Sequence, residues 1–235
     1  MNKTDWGVIW DVLPNLLEGL KTSLAITLLV IVISAVAAVP VALARMAEFD
    51  LIRWIAQGYI ELFRCTPVLI QLFWMFYALP ILLDIRLSGF VAAVIAISAN
   101  LTAQVAEVYR AGFQSVPAEQ LEAAKVLQVD RYHQVVSIIV PQTLRQQLPA
   151  LLTIAINGFK DTALVSVIGV VDLMFAANTA AAQTYRSLEI LTGAAVVYFV
   201  VAFPLSLLVS HLERRRQRQD LAPASPKHTK QPVIA

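Results

Sequence analysis

The chain has 235 residues, a length that suits one domain, of which 58% are hydrophobic and only 14% charged; with a mean hydropathy of +0.69, this excludes an ordinary water-soluble domain. The formal net charge of +2, with Lys and Arg dispersed until the run Arg214, Arg215, Arg216 and Arg218, excludes a nucleic-acid surface. The single cysteine, Cys65, excludes an intrachain disulfide or a multi-cysteine metal site, and a small packed hydrophobe is its expected role.

The first residues carry Asp5, Asp11 and Glu18 ahead of any long apolar run, unlike a secretory signal, so no cleavage is expected. Residues 22–44, between Lys21 and Arg45, are uncharged and exceed the roughly 20 residues a helix needs to cross about 30 Å of hydrocarbon. Charge-free stretches at 65–83, 87–106 and, apart from Glu189, 187–211 are further spans. Gly89, Ala92, Ala93, Ala96 and Ala99 keep the third span narrow enough for close helix packing. The aromatic residues Phe73, Trp74, Phe76 and Tyr77 near Pro80 suit either an interface anchor or the wall of a path. Residues 146–185 are apolar but interrupted by Lys160, Asp161 and Asp172, which predicts one span with an irregular or re-entrant continuation. About five crossings result.

Crossing requires helix, because an unpaired backbone group in hydrocarbon costs several kcal/mol and no strand-period alternation points to a barrel. The expected fold class is therefore all-α: a polytopic membrane domain over 1–215, with a loop at about 110–145 and a polar tail, 216–235, too poor in apolar residues to fold alone. Arg214, Arg215, Arg216, Arg218, Lys227 and Lys230 place the C-terminus in the cytoplasm, and an odd number of crossings puts the N-terminus outside. Residues 45–64 and 110–145 are then cytoplasmic.

Within the second of these loops, Pro117 suits a first helical turn, Glu119 and Glu122 favour its positive end, and Leu121, Ala124 and Leu127 recur at helical spacing. Asp130 is placed to cap a second short helix over 131–139, which Pro141 is expected to break. Periodicity alone equally allows an interfacial hairpin that merely joins two spans.

The residues go further. Glu122-Ala123-Ala124, Gln128 and then Ile138-Ile139-Val140-Pro141 resemble the EAA loop of ABC importer permeases, with Gln128 where that family usually has glycine. Glu61-Leu62-Phe63-Arg64-Cys65-Thr66-Pro67, Ala106-Glu107-Val108-Tyr109-Arg110, Gln114-Ser115-Val116-Pro117 and Lys160-Asp161-Thr162-Ala163-Leu164 resemble, in order, segments of the branch that takes up polar amino acids. The resemblance covers most of residues 15–215.

It implies a permease subunit of the bacterial inner membrane, coupled through Glu122, Ala123, Ala124 and Gln128 to a separate ATPase. The implied assembly holds two copies of the ATP-binding subunit, which carry the ATP and Mg, a second permease, identical or homologous, an external solute-binding protein and the amino-acid substrate. The chain itself has no Walker A pattern, no nucleophile and base combination, and no metal-spaced partner for His133 or His211, so it is expected to be neither an enzyme nor a cofactor carrier. Since the turn at Gln128 lacks glycine, it cannot rely on glycine's access to positive φ, and an altered docking geometry is expected.

Ionisable groups at membrane depth usually face a cavity or each other, which makes Lys160, Asp161, Thr162 and Ser166 the candidate substrate path. Asp161 would meet an ammonium group and the two hydroxyls would add hydrogen bonds. In the competing reading, Lys160 and Asp161 pair structurally with charges at the bilayer edge. Glu61 with Arg64 and Glu107 with Arg110, three residues apart, are expected to be structural ion pairs. Two functions from other classes stand beside the importer: an ion-coupled secondary transporter, which would show internal repeats of its spans, and a membrane scaffold subunit, in which Lys160 and Asp161 would be idle.

Overall fold

A computed structural model describes residues 6–130 and 133–220, and every regular element among them is helical. Helix α1 (Val8–Arg45) begins well before the uncharged stretch at 22–44. Charge marks where hydrocarbon starts, not where helix starts: Glu18 and Lys21, one turn apart, pair at 2.6 Å on the extra turns. Leu16, Gly19, Ser23, Ile26, Val30, Ser34, Ala38 and Ala42 form a buried stripe at spacings of three and four, while Leu28, Val32 and Val36 are exposed on the opposite face. The stripe turned inward is thus the smaller and more polar one, as expected where the outer solvent is lipid.

Helices α2 (Asp50–Cys65) and α3 (Val68–Leu83) meet at 106°. Thr66 is extended at the corner (φ −102°, ψ 139°), as the residue before a proline must be. Gln71 Nε2 donates to the Phe63 carbonyl (2.8 Å) and the Thr66 carbonyl (2.9 Å), and Asn100 Nδ2 donates to the same Phe63 carbonyl (2.7 Å). These bonds tie the corner to α4 (Gly89–Gln114), which Ser88 caps by accepting the Val91 N–H. Ala92, Ala93 and Ala96 on α4 are fully buried, so the small residues of the third span do lie at helix contacts.

After α5 (Ala118–Val126), a π-turn (Gln134–Ile139) leads without interruption into α6 (Val140–Asp161). Pro141 was expected to break the chain there and does not. The Val140 N–H bonds five residues back to the Val135 carbonyl, and this wider turn delivers Pro141 to the first turn of α6, where a missing N–H costs nothing. The same device occurs in α3, where a π-turn (Trp74–Ala78) and a Leu79 to Trp74 bond precede Pro80.

Beyond α6 the chain tightens into a 3₁₀ segment (Thr162–Ile168), turns at Gly169 (φ 79°) and forms α7 (Leu173–Thr184). This is the irregular continuation expected of residues 146–185. Helix α8 (Ser187–Asp220) ends the described chain, so the first residues of the expected tail prolong this helix, and 221–235 lie outside the described residues. Four helical stretches, α1, α4, Val140–Ile168 and Ser187–Arg214, are long and apolar enough to cross a membrane, and the bent α2–α3 pair makes a fifth.

Gly19 of α1 faces the backbone between the 3₁₀ segment and α7, where an added Cβ would stand 2.5 Å from the Asp172 carbonyl oxygen. Gly19→Val is therefore predicted to cost about 1–3 kcal/mol and to lower the melting temperature of the purified protein. Gly58→Ala, on a face of α2 where a Cβ meets nothing within 4 Å, should leave it unchanged or raise it; equal effects at the two positions would contradict this packing.

Candidate functional site

The loop after α4 starts with Ser115, whose hydroxyl oxygen lies 2.7 Å from the Gly112 carbonyl and 2.6 Å from Gln146 Oε1, joining the ends of α4 and α6. Pro117 opens α5, its carbonyl accepting the Gln120 N–H at 3.1 Å. In α5 Ala124 is buried, whereas Glu122 and Ala123 are exposed, and Val126 and Leu127 stand 83% and 76% exposed. Leu127, read at helical spacing with Ala124, lies just past the end of α5 at Val126 and is exposed where Ala124 is buried.

Gln128 makes the turn with φ 54°. Without glycine's freedom, glutamine adopts the left-handed conformation here at a cost of about 1–2 kcal/mol that glycine would not incur. Neighbouring bonds enforce it, with Val129 N–H donating to the Ala124 carbonyl (3.0 Å) and Gln134 Nε2 to the Val129 carbonyl (2.6 Å). Asp130 caps the following turn by accepting the His133 N–H at 2.7 Å and lies 2.8 Å from the His133 ring nitrogen. That backbone N–H, and then the ring, hold the Asp130 carboxyl below the ordinary aspartate value.

Lys160 and Asp161 end α6 at the other extreme. At 1.5 Å per residue, Val140 and Asp161 lie about 30 Å apart along one helix. Lys160 is exposed and Asp161 half-buried, and neither makes an ion pair within 4 Å among the described residues. Thr162 is wholly buried, its hydroxyl donating to the Phe159 carbonyl at 2.8 Å; half-buried Ser166 donates to the Ala163 carbonyl at 2.8 Å. Both hydroxyl hydrogens are therefore engaged, and what Ser166 offers outward is an acceptor oxygen, the same polarity as Asp161.

Of the two expected ion pairs one forms. Arg110 grips Glu107 through Nε (3.1 and 3.0 Å) and Nη2 (2.6 Å), with Arg45 Nε at 3.8 Å joining the end of α1. Glu61 instead lies 3.5 Å from Cys65 Sγ.

Two polar groupings escaped the sequence reading. Gln71, Asn100 and Gln104 form a chain, Gln104 Nε2 donating to Asn100 Oδ1 at 2.7 Å; uncharged amides inside apolar runs were the available signal. Asp172 was noticed only as an interruption, yet it is fully buried and caps α7 by accepting the Phe175 N–H at 2.8 Å. A cavity of about 470 Å³ between the N-terminal half of α1 and the length of α7 is lined by Asn15, Glu18, Thr22, Thr179 and Gln183. An apolar one of about 330 Å³ sits in the α2–α3 corner. Lys160 and Asp161 line neither.

Residues 36–218 match the family described as the binding-protein-dependent transport system inner membrane component. The glutamate/aspartate import permease protein GltK of Escherichia coli O6:H1 is 35% identical over 225 residues, covering 92% of this chain and 99% of that protein. The glutamine transport system permease protein GlnP of Escherichia coli K12 is 34% identical, with 90% and 97% covered. Among solved structures, the crystal structure of an amino acid ABC transporter with histidines superposes with a TM-score of 0.83 at 34% identity, covering 91% of this chain and all of that one. An inward-facing MetNI methionine ABC transporter shares the fold, at a TM-score of 0.72 and 18% identity over 86% of this chain and 95% of that one.

The family match and these relatives make the chain a transport permease subunit, and four or five helices long and apolar enough to cross a membrane agree with it. The chain belongs to the binding-protein-dependent transport system inner membrane component family and is a multi-pass protein of the inner membrane. Membership implies an ATP-binding subunit and a solute-binding protein as partners.

Gln128→Gly should stabilise this turn by about 1 kcal/mol and slow amide exchange over residues 124–130; unchanged exchange would mean the left-handed turn carries no cost. Because the folded Asp130 value is depressed, its cap contributes fully above the ordinary aspartate value and is lost as pH falls through the lower, folded value. Protection of the His133 amide should follow that course in the parent and disappear at neutral pH in Asp130→Ala.

Proposed function

We propose that this chain is the membrane subunit of an ATP-driven importer that carries a polar amino acid into the cytoplasm. The named permeases to which it is similar act on glutamate, aspartate or glutamine, and the match extends over nearly the whole of each. The observation that carries the reading is the placement of two unlike groups at opposite ends of α6. Exposed apolar and acidic residues of α5 and the turn after it, Glu122, Ala123, Val126 and Leu127, lie before it, and the Lys160–Asp161 end, which makes no ion pair among the described residues, lies beyond it.

In this reading two copies of an ATPase subunit bind ATP and Mg and hydrolyse the nucleotide. One of them covers α5, with Glu122 as a charged anchor, Ala123 permitting close approach and buried Ala124 fastening the helix to its own loop. Gln128 sets the angle between α5 and the turn leading to α6. A second permease, identical or homologous, completes the path beside Lys160 and Asp161, and an external solute-binding protein delivers substrate. The arginine run that ends α8 orients the C-terminus to the cytoplasm and the N-terminus outward.

At the path, the Asp161 carboxylate and the Ser166 oxygen present acceptors to an ammonium group, and Lys160 presents a cation to a carboxylate. Thr162, being wholly buried, holds the turn rather than touching substrate. Asp161→Ala is expected to abolish uptake by the reconstituted importer while the complex still assembles; unchanged uptake kinetics would remove Asp161 from the path. Glu122→Lys should instead reduce ATP turnover stimulated by the loaded binding protein and leave substrate binding intact; undiminished stimulation would exclude α5 as the ATPase contact.

A further inference from the structure

The 3₁₀ segment Thr162–Ile168 is seven residues long, whereas such runs seldom exceed three or four because their hydrogen bonds are poorly aligned. A segment of this length needs holding from outside. One side chain of α8 reaches both of its ends. The ring of Tyr198 packs on Phe159, just before the segment, with centroids 5.3 Å apart, and the Phe159 carbonyl accepts the Thr162 hydroxyl. The Tyr198 hydroxyl donates to Asp172 Oδ2, just after the segment, at 3.4 Å.

Asp172 is in turn fixed from two sides. Its Oδ1 caps α7, and the next residue, Leu173, donates its N–H to Ser23 Oγ of α1 at 3.2 Å. Asp172, Ser23 and Thr162 are each fully buried.

We infer that Tyr198, with Asp172, is a positioning residue for substrate binding: it clasps the two ends of the 3₁₀ segment and so fixes where Asp161 and Ser166 present their oxygens. The inference rests on the path proposed above. A seven-residue segment spans little distance, and freeing one end lets the acceptor oxygens drift relative to each other, which weakens binding without removing any group that touches substrate. Tyr198 itself stays with Asp172 and Phe159.

The test is uptake kinetics of the complete importer in vesicles, normalised to assembled complex, with melting temperature measured alongside. Tyr198→Phe keeps the ring on Phe159 and deletes only the hydroxyl. It should raise KM about tenfold, the factor associated with one hydrogen bond to a charged acceptor, with Vmax per complex near that of the parent. Asp172→Asn keeps a side chain able to cap α7 and to hydrogen-bond the tyrosine oxygen, and should raise KM less than Tyr198→Phe does; Asp172→Ala should match Tyr198→Phe. An unchanged KM in Tyr198→Phe, or a fall in melting temperature and assembled yield with KM unchanged, would overturn the positioning role and leave the tyrosine merely structural. No amino-acid uptake by the parent importer would overturn the transport reading first, and this one with it.

Discussion

The arrangement depends on how the backbone passes Pro141. A proline inside a helix removes one donor and pushes on the turn before it, and a clean break there would make the coupling loop and the end of α6 separate bodies. The chain instead widens by one residue at Gln134–Ile139, bonds Val140 back to Val135, and continues to Asp161. The turns around Gln128 and Asp130 are tied to the start of this element, so α5 meets, through that turn, a continuous helix that ends at Lys160–Asp161. An ATPase pressing on α5 would then act, through the turn, on one helical rod, which carries Pro149 within it.

The rest of the bundle holds that rod at fixed angles. With lipid outside, apolar burial gives little preference for helix on helix, and association falls to close packing and internal hydrogen bonds. Both are seen. Alanines line the buried face of α4, and Gly19 lets the Asp172 backbone approach α1 to a distance no side chain would allow. The amide chain of Gln71, Asn100 and Gln104 fixes the α2–α3 corner, Glu107 gathers Arg110 and Arg45 at the ends of α4 and α1, and Asp172 joins α7 to α8.

Much of this was legible in the sequence, for identifiable reasons. Uncharged runs report hydrocarbon contact directly, so the spans at 22–44 and 87–106 and the irregular stretch at 146–185 could be read from charge alone. Helix ends could not, because Glu18 and Lys21 are good helix formers that pair with each other. The effect of Pro141 was misjudged because a π-turn has no compositional signature. At Gln128 the departure from glycine was visible, but that the turn keeps a positive φ, held by bonds to Ala124 and from Gln134, is set by the fold. Asp172 was visible as a charge in an apolar stretch, but that it caps α7 and meets Tyr198, 26 residues on, is a tertiary fact.

The claim that α6 carries motion between coupling loop and path as one body is tested most directly by a distance within the chain. Spin labels at A123C and K160C, in a C65S background and the complete importer, give that distance by pulsed electron resonance in the resting and ATP-bound states. A rigid connection predicts the same distance in both states, while the distance from K160C to a label on the ATPase changes. A shift in the 123–160 distance on ATP binding would contradict the account.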